Sequence, residues 1–238
     1  MSLKKLSKNN CIAIITARGG SKRIKNKNIL NFFGKPMISY SIRAAQKTKL
    51  FNKIYVSTDS YKIKKIAENF GAEVPFLREK YLSDDYTGTH DVIKNFILKV
   101  KYNEFNYVCC IYPTAPLMQS NDIIKGYKYM VFSFFDYVIA VNKIEKFPFK
   151  YFKVKNKNIV KTFNKEYFYS GSKNIPEYFQ DAGQFYWGTK NNFINKKDFI
   201  ENNNKVGAVI IKSKFAQDLD NYNDLEMLKF KKTHYNDK

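Results

Sequence analysis

The sequence predicts an α/β fold built on a doubly wound, mostly parallel sheet, and three observations carry that expectation. Short runs rich in Ile, Val and Cys end abruptly at loops of Gly, Pro, Ser or Asp, as strands buried on both faces do. Between them lie segments with apolar residues at helical spacing. The two kinds alternate as β-loop-α-β-α-β through residue 78, the order of consecutive βαβ units. With 238 residues the chain is long enough to bury one full core, so a single domain over 11–232 is expected, with flexible ends at 1–10 and 233–238.

Ile12 to Ile15 form the first strand. After a basic loop, Gly34-Lys35-Pro36 turns the chain into a helix carrying Met37, Ile38, Ile42 and Ala45. Ile54 to Val56 is the next strand, and Ser57-Thr58-Asp59 is a candidate N-cap for a helix from Ile63 to Phe70 that stops at Gly71. Val74 and Phe76 read as a short extended piece ending at Arg78. A polar loop, Ser83 to Thr89, precedes a helix over about 91–101. Tyr107 to Tyr112 is a buried strand stopped by Pro113. Asn121 to Met130 reads as a helix and Asp136 to Val141 as a strand. From Lys143 to Glu177 helical periodicity is lost and aromatics crowd, which suits an inserted β-hairpin arm. Gln184 to Gly188 returns to the main sheet, Val206 to Ile211 is the last strand, and Asn223 to Phe230 the last helix.

The strongest chemical signal follows the first strand. Arg18, Gly19, Gly20, Ser21, Lys22, Arg23, Lys25, Lys27 and Asn28 place five cations within ten residues beside paired glycines. A buried strand running into such a loop suits a triphosphate: glycines let backbone N–H groups approach phosphate oxygens, and the cations neutralise charge. The spacing is neither that of a P-loop nor that of a dinucleotide fingerprint. Loops after Val56 and Ile111 end at the same edge of the sheet, where α/β folds bind ligands.

Asp218 and Asp220 stand two apart after the last strand. Alternation in an extended segment turns both carboxylates to one side, and two hard oxygen donors suit Mg²⁺, which keeps few protein ligands beside substrate phosphates. Arg78, Asp84, Asp85 and Lys150 are individually weak signals; Lys150, among aromatics, is a candidate for a substrate carboxylate. Neither His90 nor His234 lies in a nucleophile context, so no Ser–His–Asp chemistry is read.

Lys and Arg total 42 and Asp and Glu 21, so 42 − 21 gives a net charge of +21. The lysines are scattered in a chain rich throughout in Asn, Ile, Tyr and Phe, which favours a biased composition over a nucleic-acid footprint. Three cysteines, two of them adjacent, describe no disulfide framework. No run approaches the ~18 apolar residues of a membrane span, and the start of the chain does not read as a signal peptide. A soluble cytoplasmic protein without nucleic-acid or membrane partners is expected.

These motifs resemble those of the cytidylyltransferases that make CMP-activated nonulosonic acids. ARGGSKRIKNKN, VSTD (Val56 to Asp59), FLR (Phe76 to Arg78), YPTAP (Tyr112 to Pro116) and DLD (Asp218 to Asp220) fall in that family's order, across roughly Cys11 to Phe230. Tyr112 stands where the sialic acid enzymes usually have Gln; with SDDYTGT and QDAGQFYWG it is more similar to the pseudaminic acid branch. The resemblance implies a Rossmann-like nucleotidyltransferase sheet, a homodimer with 143–177 as its inserted arm, and Mg²⁺ as cofactor. It implies CTP contacts from Arg18, Gly19, Gly20, Ser21, Lys22, Arg23, Lys27, Asn28, Arg78 and Thr89. Mg²⁺ would lie on Asp218 and Asp220. The sugar would lie against Tyr112, Lys150, Gln184 and Phe185, and catalysis would rest on Arg18, Lys27, Asp218 and Asp220. The expected product is a CMP-sugar for surface-glycan or flagellin glycosylation, with CMP-sialic or CMP-legionaminic acid as the alternative and a basic nucleic-acid-binding protein as a remote one.

Overall fold

The computed structural model describes residues 10–144, 151–162, 165–169, 177–196, 198–200 and 203–235. The elements run β1 (Cys11–Thr16), β2 (Asn31–Phe32), β3 (Lys35–Pro36), α1 (Met37–Thr48), β4 (Lys53–Ser57), α2 (Tyr61–Asn69), α3 (Thr89–Lys99), β5 (Tyr107–Ile111), α4 (Ser120–Phe132), β6 (Tyr137–Lys143), β7 (Phe152–Lys155), β8 (Asn158–Thr162), α5 (Lys165–Phe168), β9 (Phe179–Thr189), α6 (Lys190–Asn195), β10 (Val206–Ile211) and α7 (Tyr222–Tyr235). The main sheet has the order β10-β6-β9-β5-β1-β4.

Five strands are parallel and β9 runs against them. Chain path explains the reversal. β6 ends at Lys143, which pairs with Phe179 at the start of β9, so the two strands are the arms of one long hairpin. The insertion leaves and re-enters at the same end of the sheet, and the returning strand has to run backwards. That end also carries the loops after β1, β4, β5 and β10. Within the insertion β7 and β8 pair antiparallel, and the turn residues Asn156 and Lys157 have φ of 50° and 64°, the left-handed pair that a two-residue hairpin turn needs.

Odd and even residues of β1 face different helical layers, as strand alternation requires. Cys11, Ala13 and Ile15 pack under α1, α2 and α4, together with Phe185 and Trp187 of β9. Ile12 and Ile14 pack against Ile93, Phe96 and Ile97 of α3 and Phe193 of α6. A third cluster joins Ile24 of the basic loop, Phe32, Met37, Leu219 and, from α7, Leu225 and Leu228. Ile24 and Leu219 are 1% and 0% exposed. Each buried side chain of this size contributes about 1.5–3 kcal/mol. This small core therefore clamps the basic loop to the aspartate loop.

The expected elements form with small shifts of their ends, and three local expectations change. Val74 and Phe76 form no strand; that stretch makes one bridge, Tyr55 to Glu73, because Pro75 has no N–H to extend a ladder. The cap of α2 is Ser60, whose hydroxyl accepts the Ile63 N–H, and Asp59 is used elsewhere. The end expected to be flexible from 233 stays helical through Tyr235. Residues 1–9 and 236–238, and much of the arm, lie outside the described residues.

Candidate active site

A cavity of about 260 Å³ opens where β1 and β5 end. One wall is the loop after β1, with Arg18, Ser21, Lys22, Arg23, Lys27 and Asn28; the other is made by Leu82, Thr87, Thr89, Val92 and Tyr112. The loop is held from within. Asn28 is buried, and its Nδ2 donates to the Arg18 carbonyl at 2.8 Å. Arg18 and Lys22 both reach Asp85, at 2.7 and 2.5 Å, and Lys22 first, then Arg18, hold the Asp85 carboxyl below its usual range. These pairs are well exposed, so water screens them and they hold the loop only weakly.

The glycines serve the loop differently from the expected cradle. Neither Gly19 nor Gly20 lines the cavity. The Gly19 N–H donates to Asp59 Oδ1 at 2.7 Å, and a Cβ there would stand 3.0 Å from the Ser60 Cβ. Gly19 thus lets the loop press onto the end of β4. Asp59→Ala removes the acceptor from that N–H. Loss of a hydrogen bond to a charged group, about 1.5–3 kcal/mol, is expected to lower the melting temperature by several degrees. Thermal melting of wild type and variant checks this.

Arg78 is 9% exposed and faces the cavity. It donates to the Ser57 carbonyl at 3.2 Å, while its Nε is buried without a partner. Burial lowers its pKa to about 10, still charged at neutral pH. No carboxylate among the described residues forms an ion pair with it. A buried guanidinium with an unused donor is a site for an oxygen acceptor of a ligand.

Lys27 connects this cavity to a second one. Its Nζ donates to the Leu219 carbonyl at 2.6 Å and lies 3.8 Å from Asp220 Oδ1, while Arg23 pairs with the same oxygen at 2.8 Å. Burial lowers the Lys27 pKa, opposed by the charges of Asp218 and Asp220. The second cavity, about 460 Å³, has Asp181, Asp218, Asp220 and Asp224 in its wall. The Asp218 carboxyl is raised above its usual range, by desolvation first and the Asp220 charge second. Gly183, at φ +60°, lets the backbone of β9 come within 3.3 Å (from its would-be Cβ) of that carboxyl. Among the described residues no group of three His, Cys, Asp or Glu forms a metal cage. Two hard carboxylates repelling each other on an open wall do fit Mg²⁺ that completes its shell with water and phosphate.

The four residues expected on the sugar side divide. Tyr112, expected on the sugar side, lies in the wall of the first cavity opposite the basic loop, and burial pushes its pKa up to about 12. Gln184 is buried, with Nε2 on the Phe215 carbonyl at 2.6 Å and Oε1 without a partner. Phe185 turns the other way, fully buried against Gly126 under α4 beside Trp187. It belongs to the core, since successive strand residues face opposite sides. Lys150 lies outside the described residues. Sequence reasoning missed Asp59, which holds the basic loop, and Asp181 in the wall of the second cavity, and read Asp85 only as a weak signal. The acids of SDDYTGT were a usable signal for Asp85, since a basic loop at one strand end needs counter-charge nearby.

A sequence profile described as Cytidylyltransferase matches residues 12–236. The chain is 35% identical over 220 residues to the pseudaminic acid cytidylyltransferase of Campylobacter jejuni subsp. jejuni serotype O:2, covering 92% of this chain and 94% of that one. It is 30% identical over 218 residues to the N-acylneuraminate cytidylyltransferase of Escherichia coli O18:K1:H7, covering 91% of this chain and 50% of that one. Among solved structures, a CMP:2-keto-3-deoxy-manno-octonic acid synthetase complexed with CTP superposes with a TM-score of 0.71 at 14% identity, covering 93% and 98% of the two chains.

Proposed function

We propose, because the chain belongs to the cytidylyltransferase family, that it joins CTP to pseudaminic acid, giving the CMP-sugar and pyrophosphate. The observation that carries the reading is the joining of the two cavities by Lys27 and Arg23, which line the first and bond the aspartate loop of the second. Full-length similarity to a pseudaminic acid enzyme supports the choice of sugar.

The triphosphate lies along Arg18, Lys22, Arg23 and Lys27, and the base takes the neutral wall of Thr87, Thr89, Val92 and Tyr112. The anomeric hydroxyl of the sugar attacks the α-phosphorus; a new P–O bond forms as the bond to the β-phosphate oxygen breaks and pyrophosphate leaves. Such transfers need positioning and charge neutralisation more than covalent help. Lys27 and Arg23 neutralise charge building on pyrophosphate. The Asp218–Asp220 pair takes the hydroxyl proton. These two aspartates would hold Mg²⁺, which when bound adds Lewis-acid stabilisation at the phosphate.

The working unit is a homodimer. The described faces of β7 and β8 leave Phe152, Val154 and Ile159 at 44%, 60% and 63% exposure. Apolar residues on a projecting hairpin are suited to contact a second copy. No described helix is long and apolar enough to cross a membrane.

Pyrophosphate release with CTP and Mg²⁺, offering pseudaminic, N-acetylneuraminic and legionaminic acids in parallel, tests the reading. Release with pseudaminic acid at least about a hundredfold faster is expected, since a site built to hydrogen-bond one substrate rejects analogues strongly. Faster release with another nonulosonate would keep the chemistry and overturn the sugar.

A further inference from the structure

We propose that Lys231 of α7 is a positioning residue for the aspartate pair: through Gln217 and Asp224 it fixes the backbone on both sides of Leu219, and so sets the separation at which Asp218 and Asp220 hold a divalent cation. The inference rests on the proposed reading of the second cavity as the metal side of the site.

Lys231 lies in the wall of that cavity, where a free cation would suit an anionic substrate. Its bonds give it a different use. An ammonium group has three N–H donors, and all three meet oxygens: the Ser213 carbonyl at 3.1 Å, the Ala216 carbonyl at 2.6 Å and Gln217 Oε1 at 3.2 Å. None of the three is a carboxylate. The group is spent on the segment that leads from β10 into Asp218.

Lys231 also decides which way the Gln217 amide faces. An ammonium only donates, so the amide oxygen has to meet it and the NH₂ is left on the other side. That NH₂ donates to the Asp218 carbonyl at 3.2 Å and to Asp224 Oδ1 at 3.3 Å. Asp224 Oδ2 accepts the N–H groups of Asp220 and Asn221, each at 2.9 Å. Every link from Lys231 to the Asp220 backbone therefore has a donor facing an acceptor. Part of the arrangement is ordinary helix capping. Asn221 Oδ1 accepts the N–H groups of Asn223 and Asp224 at 2.8 and 3.1 Å, while Asp224 returns to the Asn221 N–H, the reciprocal pattern of a capping box. The cap needs neither the Asp220 N–H, nor Gln217, nor Lys231. These three additions tie the helix to the aspartate loop. Both Asp224 oxygens are occupied by the loop, which leaves the cation to Asp218 and Asp220.

Charge and position predict opposite signs for Lys231→Met. A positive charge beside a cation site repels the cation, so if Lys231 acts by charge alone its removal tightens Mg²⁺ binding. If it positions the loop, its removal weakens Mg²⁺ binding by about ten- to a hundredfold, the usual loss when a group that orients metal ligands is taken away. Weakening is the expected result. Gln217→Leu breaks the same relay with no change of charge and is expected to weaken binding too. Lys231→Arg keeps the charge and a donor and is expected to recover part of the loss. The measurement is the rise in melting temperature of the full chain across a Mg²⁺ titration, with circular dichroism as the check on folding. The half-saturating Mg²⁺ concentration in pyrophosphate release is recorded separately. Unchanged or tighter Mg²⁺ binding in folded Lys231→Met and Gln217→Leu would overturn the proposal. So would a Lys231→Met whose only defect is a higher KM for the nonulosonate, since Lys231 would then be a substrate contact. If Lys231→Met does not fold, Gln217→Leu decides alone. A wild type that Mg²⁺ stabilises but that releases no pyrophosphate with any nonulosonate would count against the function and leave the comparison of variants readable. A wild type that Mg²⁺ does not stabilise would overturn the metal reading and this inference together.

Discussion

Asp218→Asn is expected to lower kcat about a thousandfold, several kcal/mol of lost transition-state stabilisation at tenfold per ~1.4 kcal/mol, while leaving the fold as stable at pH 7 or more so. The two effects have one cause. Desolvation and the Asp220 charge raise the proton affinity of Asp218 in the folded chain, so the folded state holds this proton more tightly than the unfolded one. The stability linked to that proton is fully present below the ordinary carboxylate range and is lost as pH rises through the raised folded value. At neutral pH the ionised group is a cost that Asn removes. Asn also keeps an oxygen for the Leu219 N–H, which donates to Asp218 Oδ1 at 2.8 Å. Melting curves of wild type and variant are expected to converge at acid pH and separate above it, the variant melting higher. Mg²⁺ is expected to raise the melting temperature of wild type at pH 7 and to leave the variant unmoved. Wild-type turnover in Asp218→Asn would remove the pair from the chemistry.

The parts of this protein legible from sequence are those where one residue pattern has one structural meaning. The Ile12–Ile15 run and the Val206–Ile211 run became β1 and β10 because a short β-branched run has few other uses. The hairpin of the arm was legible because Asn and Lys at its turn interrupt two alternating segments. The basic loop and the D-x-D were legible as two ends of one candidate site, but the packing that brings them together was not. What unites them is Ile24 and Leu219, single apolar residues inside polar motifs, whose meeting in one small core no local pattern announces. Polar partners separated widely in sequence were also hidden: Asp59 looks like a helix cap and instead ties down Gly19, 40 residues earlier. The placement of Phe185 was within reach, since Gln184 and Phe185 as strand neighbours cannot face the same ligand.

Lys27→Met is expected to lower kcat/KM for CTP by roughly 10²–10³-fold, the loss found when a preorganised donor to developing charge is removed. Met keeps the stem and removes the charge, so the change isolates the ammonium group. That group has two roles which separate experimentally. Its side chain is 21% exposed, so on the proposed reading its charge would act on a bound phosphate with less screening than that of Arg23, which is 67% exposed. It also satisfies the Leu219 carbonyl at 2.6 Å, the residue that spaces the two aspartates. Leaving that carbonyl unpaired costs about 1–3 kcal/mol, and a fall of several degrees in melting temperature is expected. Lys27→Arg supplies the control. A guanidinium restores a donor to the carbonyl but not the compact charge, so stability is expected to recover further than rate. If kcat falls while the CTP dissociation constant holds, Lys27 acts on charge that appears only as pyrophosphate departs; if only the dissociation constant rises, it binds the ground-state triphosphate and the rate enhancement has to come from the aspartate side.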